Sequence, residues 1–308
     1  MKLRLTTLFL ASRPKFLTAS AGPVLVGTAM GYAVGGTFQL LLFVLALIAI
    51  MALHAGANIT NDYFDHTSRN DWVNQNVTPF SGGRRYIQEG ILSPAATLLT
   101  AVIFLALGAA AGIIIVLLTR SLFILVLGLI GLLGGYFYTA WPVRLGYRGI
   151  GEFVIMLLFG LLPVYGSYYL QTNRIDTLVL LPGMIVGILI FLVIFINEFP
   201  DFAADGAVGK KTLVVRLGVP ASVWVYRIML ITSYVAAAAA VIIGGVMFFP
   251  ALFYLFTIPA ALMAINFANK KELAVPGRYR ANQVTVLLHS LGCLALTAGF
   301  IVCSLFAT

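Results

Sequence analysis

Long apolar segments alternate with short polar ones along the whole chain of 308 residues. Each apolar segment is about 20 residues long, which is the length that an α-helix needs to cross the hydrocarbon core of a bilayer. Backbone polar groups inside a membrane must be satisfied within the protein, so such segments fold as helices. The pattern predicts nine transmembrane helices, at residues 16–35, 39–64, 94–118, 121–141, 150–170, 177–199, 219–243, 247–268 and 284–306.

The composition excludes a soluble protein. Hydrophobic residues make up 61% of the chain and charged residues only 9%, whereas about 25% of residues are charged in a typical soluble protein. We expect an all-α integral membrane bundle of nine helices, with a central cavity open to the cytoplasmic side, in a single domain over residues 1–308. Its halves, roughly 1–145 and 146–308, resemble each other weakly, since each has an apolar segment followed by acidic residues and a basic loop.

Basic residues predict the orientation in the membrane. If the N-terminus is cytoplasmic, every Lys and Arg except Arg120 and Arg174 falls on the cytoplasmic side, including Lys2 and Arg4. We therefore expect a protein of the cell inner membrane with a cytoplasmic N-terminus and, after nine crossings, an outside C-terminus. The net charge of +9 mostly reflects this bias and suits membrane lipid head groups or an anionic substrate. It does not indicate nucleic acid, and no obligate protein partner is evident.

Two acidic segments hold most of the ten Asp and Glu residues. The first runs from Asn61 to Asp71 and the second from Asn197 to Asp205. Residues three or four positions apart lie on one face of a helix, as Asp62 and Asp65 do, and as Asn197, Asp201 and Asp205 do. Carboxylates at a membrane edge are costly and usually face a functional cavity.

The residue types in these segments indicate a hard metal ion. Carboxylate and amide oxygens without His or Cys favour Mg²⁺, which takes few carboxylates and bridges to substrate phosphates. Zinc would prefer His and Cys. A basic loop with glycines follows each segment, and its side chains could contact phosphate oxygens; the candidates are Arg84, Arg85, Lys210 and Lys211. A metal-bound diphosphate beside an apolar bundle suggests a substrate with a diphosphate head and a hydrocarbon tail.

The two segments resemble the aspartate-rich motifs of the UbiA superfamily of intramembrane prenyltransferases. Within it, the six-residue step from Asp65 to Asp71 resembles the branch that prenylates dihydroxynaphthoate in menaquinone synthesis. Residues 136–139, 149–152 and 209–218 are also similar to that branch. One passage differs, because Glu198-Phe199-Pro200 stands where many relatives carry Asn-x-Arg after the first Asn of the second motif.

The resemblance implies a Mg²⁺-dependent prenyltransferase. A polyprenyl diphosphate would ionise to an allylic carbocation and prenylate an aromatic acceptor, 1,4-dihydroxy-2-naphthoate, with decarboxylation. Two Mg²⁺ ions would be held by Asp62, Asp65, Asp201 and Asp205, assisted by Asn61 and Asn197. Other substrate contacts would come from Asp71, Glu152, the carbocation-shielding rings of Tyr136, Tyr138 and Tyr147, and Arg144 or Arg148 for the acceptor carboxylate.

Two alternatives stay open at this point. Another member of the superfamily would use a different acceptor: another quinone precursor, a porphyrin or a glyceryl phosphate lipid. A protein of another class, a transporter of an anionic solute, would also explain basic loops and intramembrane acids. It would not explain two acidic segments that are each followed by a basic loop.

Overall fold

The computed structural model describes residues 5–35, 37–273 and 275–306, so Lys2 and Arg4 lie outside the described residues. The described chain is helical almost throughout. Short 3₁₀ turns, such as Leu145–Tyr147, join several helices, and a π-helical turn, Leu157–Leu161, connects α7 to α8. The helices are α1 (Leu5–Ala11), α2 (Pro14–Gly35), α3 (Leu40–Thr67), α4 (Asn70–Val73), α5 (Pro94–Thr119), α6 (Leu122–Phe137), α7 (Gly151–Met156), α8 (Leu162–Thr172), α9 (Leu180–Ala207), α10 (Leu213–Ile243), α11 (Phe248–Leu255), α12 (Ile258–Phe267), α13 (Lys270–Leu273) and α14 (Arg280–Phe306).

The all-α prediction is confirmed, and each of the nine predicted segments overlaps a helix. Within the described residues, seven continuous segments are long and apolar enough to cross a membrane, and the bent pair α11 and α12 brings the number to eight. The bend between these two helices is 51°. The helix α6 has only 16 residues, which is shorter than the usual spanning length of about 20. It ends at Phe137, shortly before Pro142, which has no backbone N–H to continue a helix.

The helix α9 lies at the centre of the bundle and packs against α7, α8, α10 and α14. Of its most apolar 18 residues, 78% are buried, compared with 17% for α3. Large side chains such as Phe191, Phe195 and Ile196 are completely buried along α9. Burial on this scale fixes α9 in place, since apolar side chains pack densely around it.

Glycines bring the neighbouring helices close to α9. A Cβ on Gly160, in the π-helical turn, would lie 2.3 Å from the Cα of Gly187 on α9. Only a glycine pair permits this approach, which is a common way for membrane helices to pack. The contact holds α7 and α8 against α9 and thereby sets the position of Glu152 at the start of α7.

Candidate active site between the ends of α3 and α9

The polar ends of α3 and α9 meet at one pocket. Its lining includes Asn61, Asp65, Asp71, Asn197, Asp201 and Asp205, so the two acidic segments predicted from the sequence share a single site. Asp65, Asp71 and Asp205 are buried. The deeper wall is apolar and includes Phe159, Ile190 and Val193. The pocket therefore joins a polar region to a hydrocarbon-like interior.

An arginine that the sequence analysis did not place in the site binds the first segment. Arg13 lies between α1 and α2, and its guanidinium forms a salt bridge and hydrogen bond with Asp62. Both side chains are largely buried, with 17% and 10% exposed. Arg13 also lines the pocket. Its backbone has a left-handed conformation, with a φ of 55°, which forms the sharp corner that turns the side chain toward α3.

Lys210 connects the two acidic segments. Its Nζ lies 3.6 Å from Asp65 Oδ2 and 3.4 Å from Asp205 Oδ1. Burial opposes the charge of Lys210, but the carboxylates of Asp205 and Asp65 raise its pKa well above the ordinary lysine value. Lys210 therefore carries a positive charge between the ends of α3 and α9.

Tyr147 approaches the same group of charges. Its hydroxyl donates a hydrogen bond to Asp65 Oδ1 at 3.3 Å, and the Nζ of Lys210 lies 5.6 Å from the centre of its ring. Burial and the negative charge of Asp65 raise the pKa of Tyr147 to about 12. The tyrosine is therefore a neutral hydrogen-bond donor at the site.

Amides from the loop after α3 hold the second acidic segment. Asn70 Nδ2 donates to Asp205 Oδ1, and Asn74 Nδ2 donates to Asp201 Oδ1, both at 2.7 Å. The backbone N–H of Gly82 donates to Asp201 Oδ2 at 3.3 Å. These roles could not be predicted from the sequence, because asparagine is common in loops and each partner lies more than 100 residues away in the chain.

The two predicted asparagine ligands have protein partners. Asn61 Nδ2 donates to Asp65 Oδ2 at 2.8 Å, so Asn61 orients that carboxylate. Asn197 Oδ1 accepts a hydrogen bond from Asn282 Nδ2 at 2.8 Å. Asn282 lies on α14 and is buried. It fixes the amide of Asn197 at the pocket wall.

The site carries more negative than positive charge. Burial, together with the charges of Asp65 and Asp62, raises the pKa of Asp71 to about 8. At Gly83, where φ is 69°, a Cβ would lie 3.1 Å from Asp62 Oδ1 and 3.2 Å from Asp71 Oδ2. The bare glycine thus leaves room where these two carboxylates converge, and Gln88 donates to Asp71 Oδ2 at 3.1 Å.

These residues fit a magnesium ion that is shared with a substrate phosphate. Among the described residues, no three His, Cys, Asp or Glu side chains form a ready-made metal site. Magnesium, however, is usually held by one or two carboxylates, waters and substrate phosphates rather than by a complete protein cage. The oxygen-only donors and the excess of buried carboxylate suit that mode of binding.

The predicted substrate contacts divide into two groups. Asp71, Lys210 and Tyr138 line the pocket. Arg85 donates to the carbonyl of Asn74, while Arg148 donates to the carbonyl of Val143. The predicted residues outside the pocket lining are Arg84, Arg85, Lys211, Arg144, Arg148, Tyr136, Tyr147 and Glu152.

Comparisons with known proteins identify relatives of this chain. The sequence model described as the UbiA prenyltransferase family matches residues 20–291. The chain is 34% identical to the 1,4-dihydroxy-2-naphthoate octaprenyltransferase of Haemophilus influenzae over 213 residues, which cover 67% of this chain and 68% of that protein. It is 27% identical to the 2-carboxy-1,4-naphthoquinone phytyltransferase of Synechocystis over 293 residues, covering 94% and 91% of the two chains.

The fold has solved counterparts. A UbiA homolog from Archaeoglobus fulgidus, solved with GPP and Mg²⁺ bound, matches with a TM-score of 0.65 and 17% identity. The match covers 94% of this chain and 99% of that one. At this identity the similarity concerns the fold, and it extends over nearly the whole bundle.

Proposed function

The chain belongs to the UbiA prenyltransferase family and is an integral membrane prenyltransferase, and from this premise we propose its substrates. The donor is a polyprenyl diphosphate, and the acceptor is 1,4-dihydroxy-2-naphthoate, which loses its carboxylate during prenyl transfer. The product is of the demethylmenaquinone type. The relatives from Haemophilus influenzae and Synechocystis, both named for naphthoate-type acceptors, support this assignment.

The observation that carries the proposal is the meeting of the two acidic segments above an apolar cavity. Asp65 and Asp205 lie on different helices, yet both contact Lys210 and line one pocket. A diphosphate needs cations at this polar end, and a prenyl chain needs the apolar wall of Phe159 and Ile190 below it. A transporter of an anionic solute needs neither the paired acids nor the apolar extension.

The side chains of the chain itself account for the steps of transfer. Arg13 and Lys210 attract the diphosphate and offset its charge as it leaves. Magnesium, when bound by Asp62, Asp65, Asp201 and Asp205, would supply further positive charge to the departing diphosphate. The apolar wall excludes water, which would otherwise quench the allylic carbocation. The ring of Tyr138 shields the carbocation from one side of the pocket.

We also propose the arrangement in the membrane. The short helix α6 and the bent pair α11 and α12 complete a set of nine crossings, with the pocket open to the cytoplasm. The distribution of Lys and Arg supports this orientation. Cysteine labelling from either side of a vesicle, at single cysteines introduced near Arg120 and Lys271, tests it; labelling of both positions from one side contradicts it.

The test of the reaction uses the purified protein in detergent with a polyprenyl diphosphate, 1,4-dihydroxy-2-naphthoate and Mg²⁺. We expect release of pyrophosphate and carbon dioxide in equal amounts, a prenylated naphthoquinol by mass spectrometry, and loss of activity with a chelator. A panel with 4-hydroxybenzoate, a porphyrin and glyceryl phosphate tests the other acceptors. Failure with every acceptor, together with solute flux in liposomes, contradicts the enzyme assignment.

A further inference from the structure

Two buried acids near the catalytic pocket, Glu198 and Glu152, take no part in the steps of transfer proposed above. Glu198 on α9 lines the pocket and is 6% exposed, and Glu152 at the start of α7 is completely buried. The two carboxyls are close enough to influence each other. In the part of the chain that the structure describes, neither has a basic nitrogen within salt-bridge distance, and one oxygen of each has no protein donor.

Burying a carboxyl group without a partner costs free energy, so the presence of two such groups here needs a physical reason. Glu152 is partly explained, because its Oε1 accepts a hydrogen bond from the backbone N–H of Leu213 at 2.6 Å and so anchors the start of α10. Glu198 receives no such bond from a backbone or amide donor among the described residues. Its carboxyl therefore has hydrogen-bonding capacity to offer to a ligand in the pocket.

The ring of Tyr138 lies at the same wall of the pocket as Glu198. The Tyr138 hydroxyl lies near both carboxyls. Two glycines make room for it: a Cβ on Gly146 would lie 3.0 Å from the Tyr138 ring, and one on Gly151 would lie 3.0 Å from its hydroxyl. Tyr138 also lines the pocket. An aromatic face and a carboxyl with free acceptor capacity thus stand together at one wall.

The position of Glu198 along α9 indicates which part of the reactants it meets. Glu198, Asp201 and Asp205 share one face of the helix, and Glu198 lies about 4.5 Å deeper than Asp201 along its axis. The allylic carbon that reacts is attached directly to the diphosphate. The acceptor must therefore lie next to the diphosphate, at about this depth.

The reactants have three chemical parts that could meet Glu198: the diphosphate, the prenyl chain and the aromatic acceptor. Only the aromatic acceptor suits a carboxyl group. The diphosphate is an anion, which a carboxyl without a cation partner disfavours, and the prenyl chain is hydrocarbon, which leaves the carboxyl unsatisfied. A phenolic hydroxyl is a hydrogen-bond donor, and its ring can lie against Tyr138. Resting on the function proposed above, we propose that Glu198 binds a phenolic hydroxyl of the aromatic acceptor.

The experiment compares acceptor affinity in Glu198→Leu and Glu198→Gln with that of the unchanged enzyme. We expect Glu198→Leu to raise KM for 1,4-dihydroxy-2-naphthoate about tenfold or more, because a hydrogen bond to the carboxyl group is lost. Glu198→Gln keeps an acceptor oxygen and should have a smaller effect. KM for the polyprenyl diphosphate should stay within about twofold, since the donor makes no contact with Glu198. Glu89→Leu, at an exposed loop position, is the control.

Acceptors that lack one hydroxyl identify the contact. The compounds are 1-hydroxy-2-naphthoate and 4-hydroxy-2-naphthoate, with affinity measured as KM, or as the inhibition constant where a compound is not turned over. The analogue that lacks the contacting hydroxyl should bind with equal affinity to the unchanged enzyme and to Glu198→Leu. The analogue that keeps this hydroxyl should bind Glu198→Leu as much more weakly as 1,4-dihydroxy-2-naphthoate does. An equal penalty for all three acceptors, a penalty on the donor, or no penalty overturns the inference.

Two measurements separate the possible failures. Binding of a geranyl S-thiolodiphosphate, which does not ionise readily, reports whether each variant still folds and holds the donor. If the unchanged enzyme prenylates none of the aromatic acceptors, the proposed function is wrong. If it prenylates the naphthoate while Glu198→Leu has no acceptor-specific effect, only the role of Glu198 is wrong.

Discussion

The helices α3 and α9 both end in an acidic segment, but they lie in very different surroundings. Of the most apolar 18 residues, 78% are buried in α9 and 17% in α3. The helix α9 carries Asp201 and Asp205 to the pocket from the interior of the bundle. The helix α3, which we call the peripheral helix, is mostly exposed and carries Asp62 and Asp65 at its end.

One carboxylate in each segment is held by a different kind of partner. Asp62 is paired with the cation Arg13, whereas Asp201 accepts from the neutral amide of Asn74. Asn74 itself belongs to the loop that follows α3. The peripheral segment thus depends on a cation from the N-terminal corner, and the central segment depends on the loop of the peripheral one. A substitution in either segment should therefore disturb the carboxylates of the other segment.

The largest effect is expected from removing one carboxylate charge in each segment. Asp62→Asn and Asp201→Asn should each lower kcat/KM about a thousandfold, because each removes a carboxylate that would hold the magnesium, and the magnesium would offset the charge of the departing diphosphate. Pyrophosphate release measures this effect. The control is Asp176→Asn in the turn before α9, where the aspartate caps the backbone N–H of Leu178; its activity should stay within about twofold.

Asp62→Asn and Asp201→Asn should differ in thermal stability. Asp62→Asn leaves the buried Arg13 without its partner, which costs about 3 kcal/mol, whereas Asp201→Asn leaves no unpaired cation. Thermal unfolding should therefore show a clear loss for Asp62→Asn only, and the double variant Arg13→Gln/Asp62→Asn should regain much of it. Equal stability of the two single variants would contradict the different roles of cation and amide.

The next effect concerns the residue shared by both segments. Lys210→Met removes the ammonium that contacts Asp65 and Asp205 and should lower kcat/KM about a hundredfold. Lys211→Met is a matched control, since the side chain of Lys211 is exposed and should matter less than about twofold. The sequence predicted both lysines as phosphate contacts. A similar loss in both variants would mean that Lys211 contributes as much as Lys210.

The sequence was sufficient for features that depend on neighbouring residues. Apolar segments of about 20 residues predict helices, and carboxylates three or four positions apart predict one polar face. The apolar segments located the helices, and the spacing predicted the polar face of each acidic segment. The pairing of the two segments came from their resemblance to the aspartate-rich motifs of the prenyltransferase superfamily. Gly209 and Gly83 also stood out as glycines in basic loops, although only the structure shows that Gly83 leaves room for Asp62 and Asp71.

Partners that are distant in the chain could not be predicted. Arg13 is 49 residues from Asp62, and Asn74 is 127 residues from Asp201. Which cation or amide reaches which carboxylate depends on how the loop after α3 folds, and hydropathy has no information on that. The bend between α11 and α12 was missed for a related reason, since the broken segment is apolar throughout.

A smaller effect on activity is expected from a side chain at Gly83, where the backbone lies close to two carboxylates. Gly83→Ala and Gly90→Ala both place a side chain at a φ of 69° and so carry the same backbone strain, about 1 kcal/mol. Only the Cβ at position 83 comes within 3.1 Å of a carboxylate; at position 90 nothing lies within 4 Å. We expect equal losses in stability, but about a tenfold loss of activity for Gly83→Ala alone. Equal activities would mean that Asp62 and Asp71 tolerate displacement.

The smallest effects should distinguish the two arginines predicted to hold the acceptor carboxylate. The Arg144 guanidinium lies 4.9 Å from the centre of the Tyr147 ring, which contacts Asp65, whereas Arg148 Nε donates to the carbonyl of Val143 at 2.6 Å. Arg144→Gln should therefore raise the acceptor KM about threefold and Arg148→Gln less than about twofold. The comparison is made with 1,4-dihydroxy-2-naphthoate and with 1,4-dihydroxynaphthalene, which lacks the carboxylate. If the loss in Arg148→Gln is the larger one and disappears with the second acceptor, Arg148 holds the carboxylate, and its bond to Val143 must break when the acceptor binds.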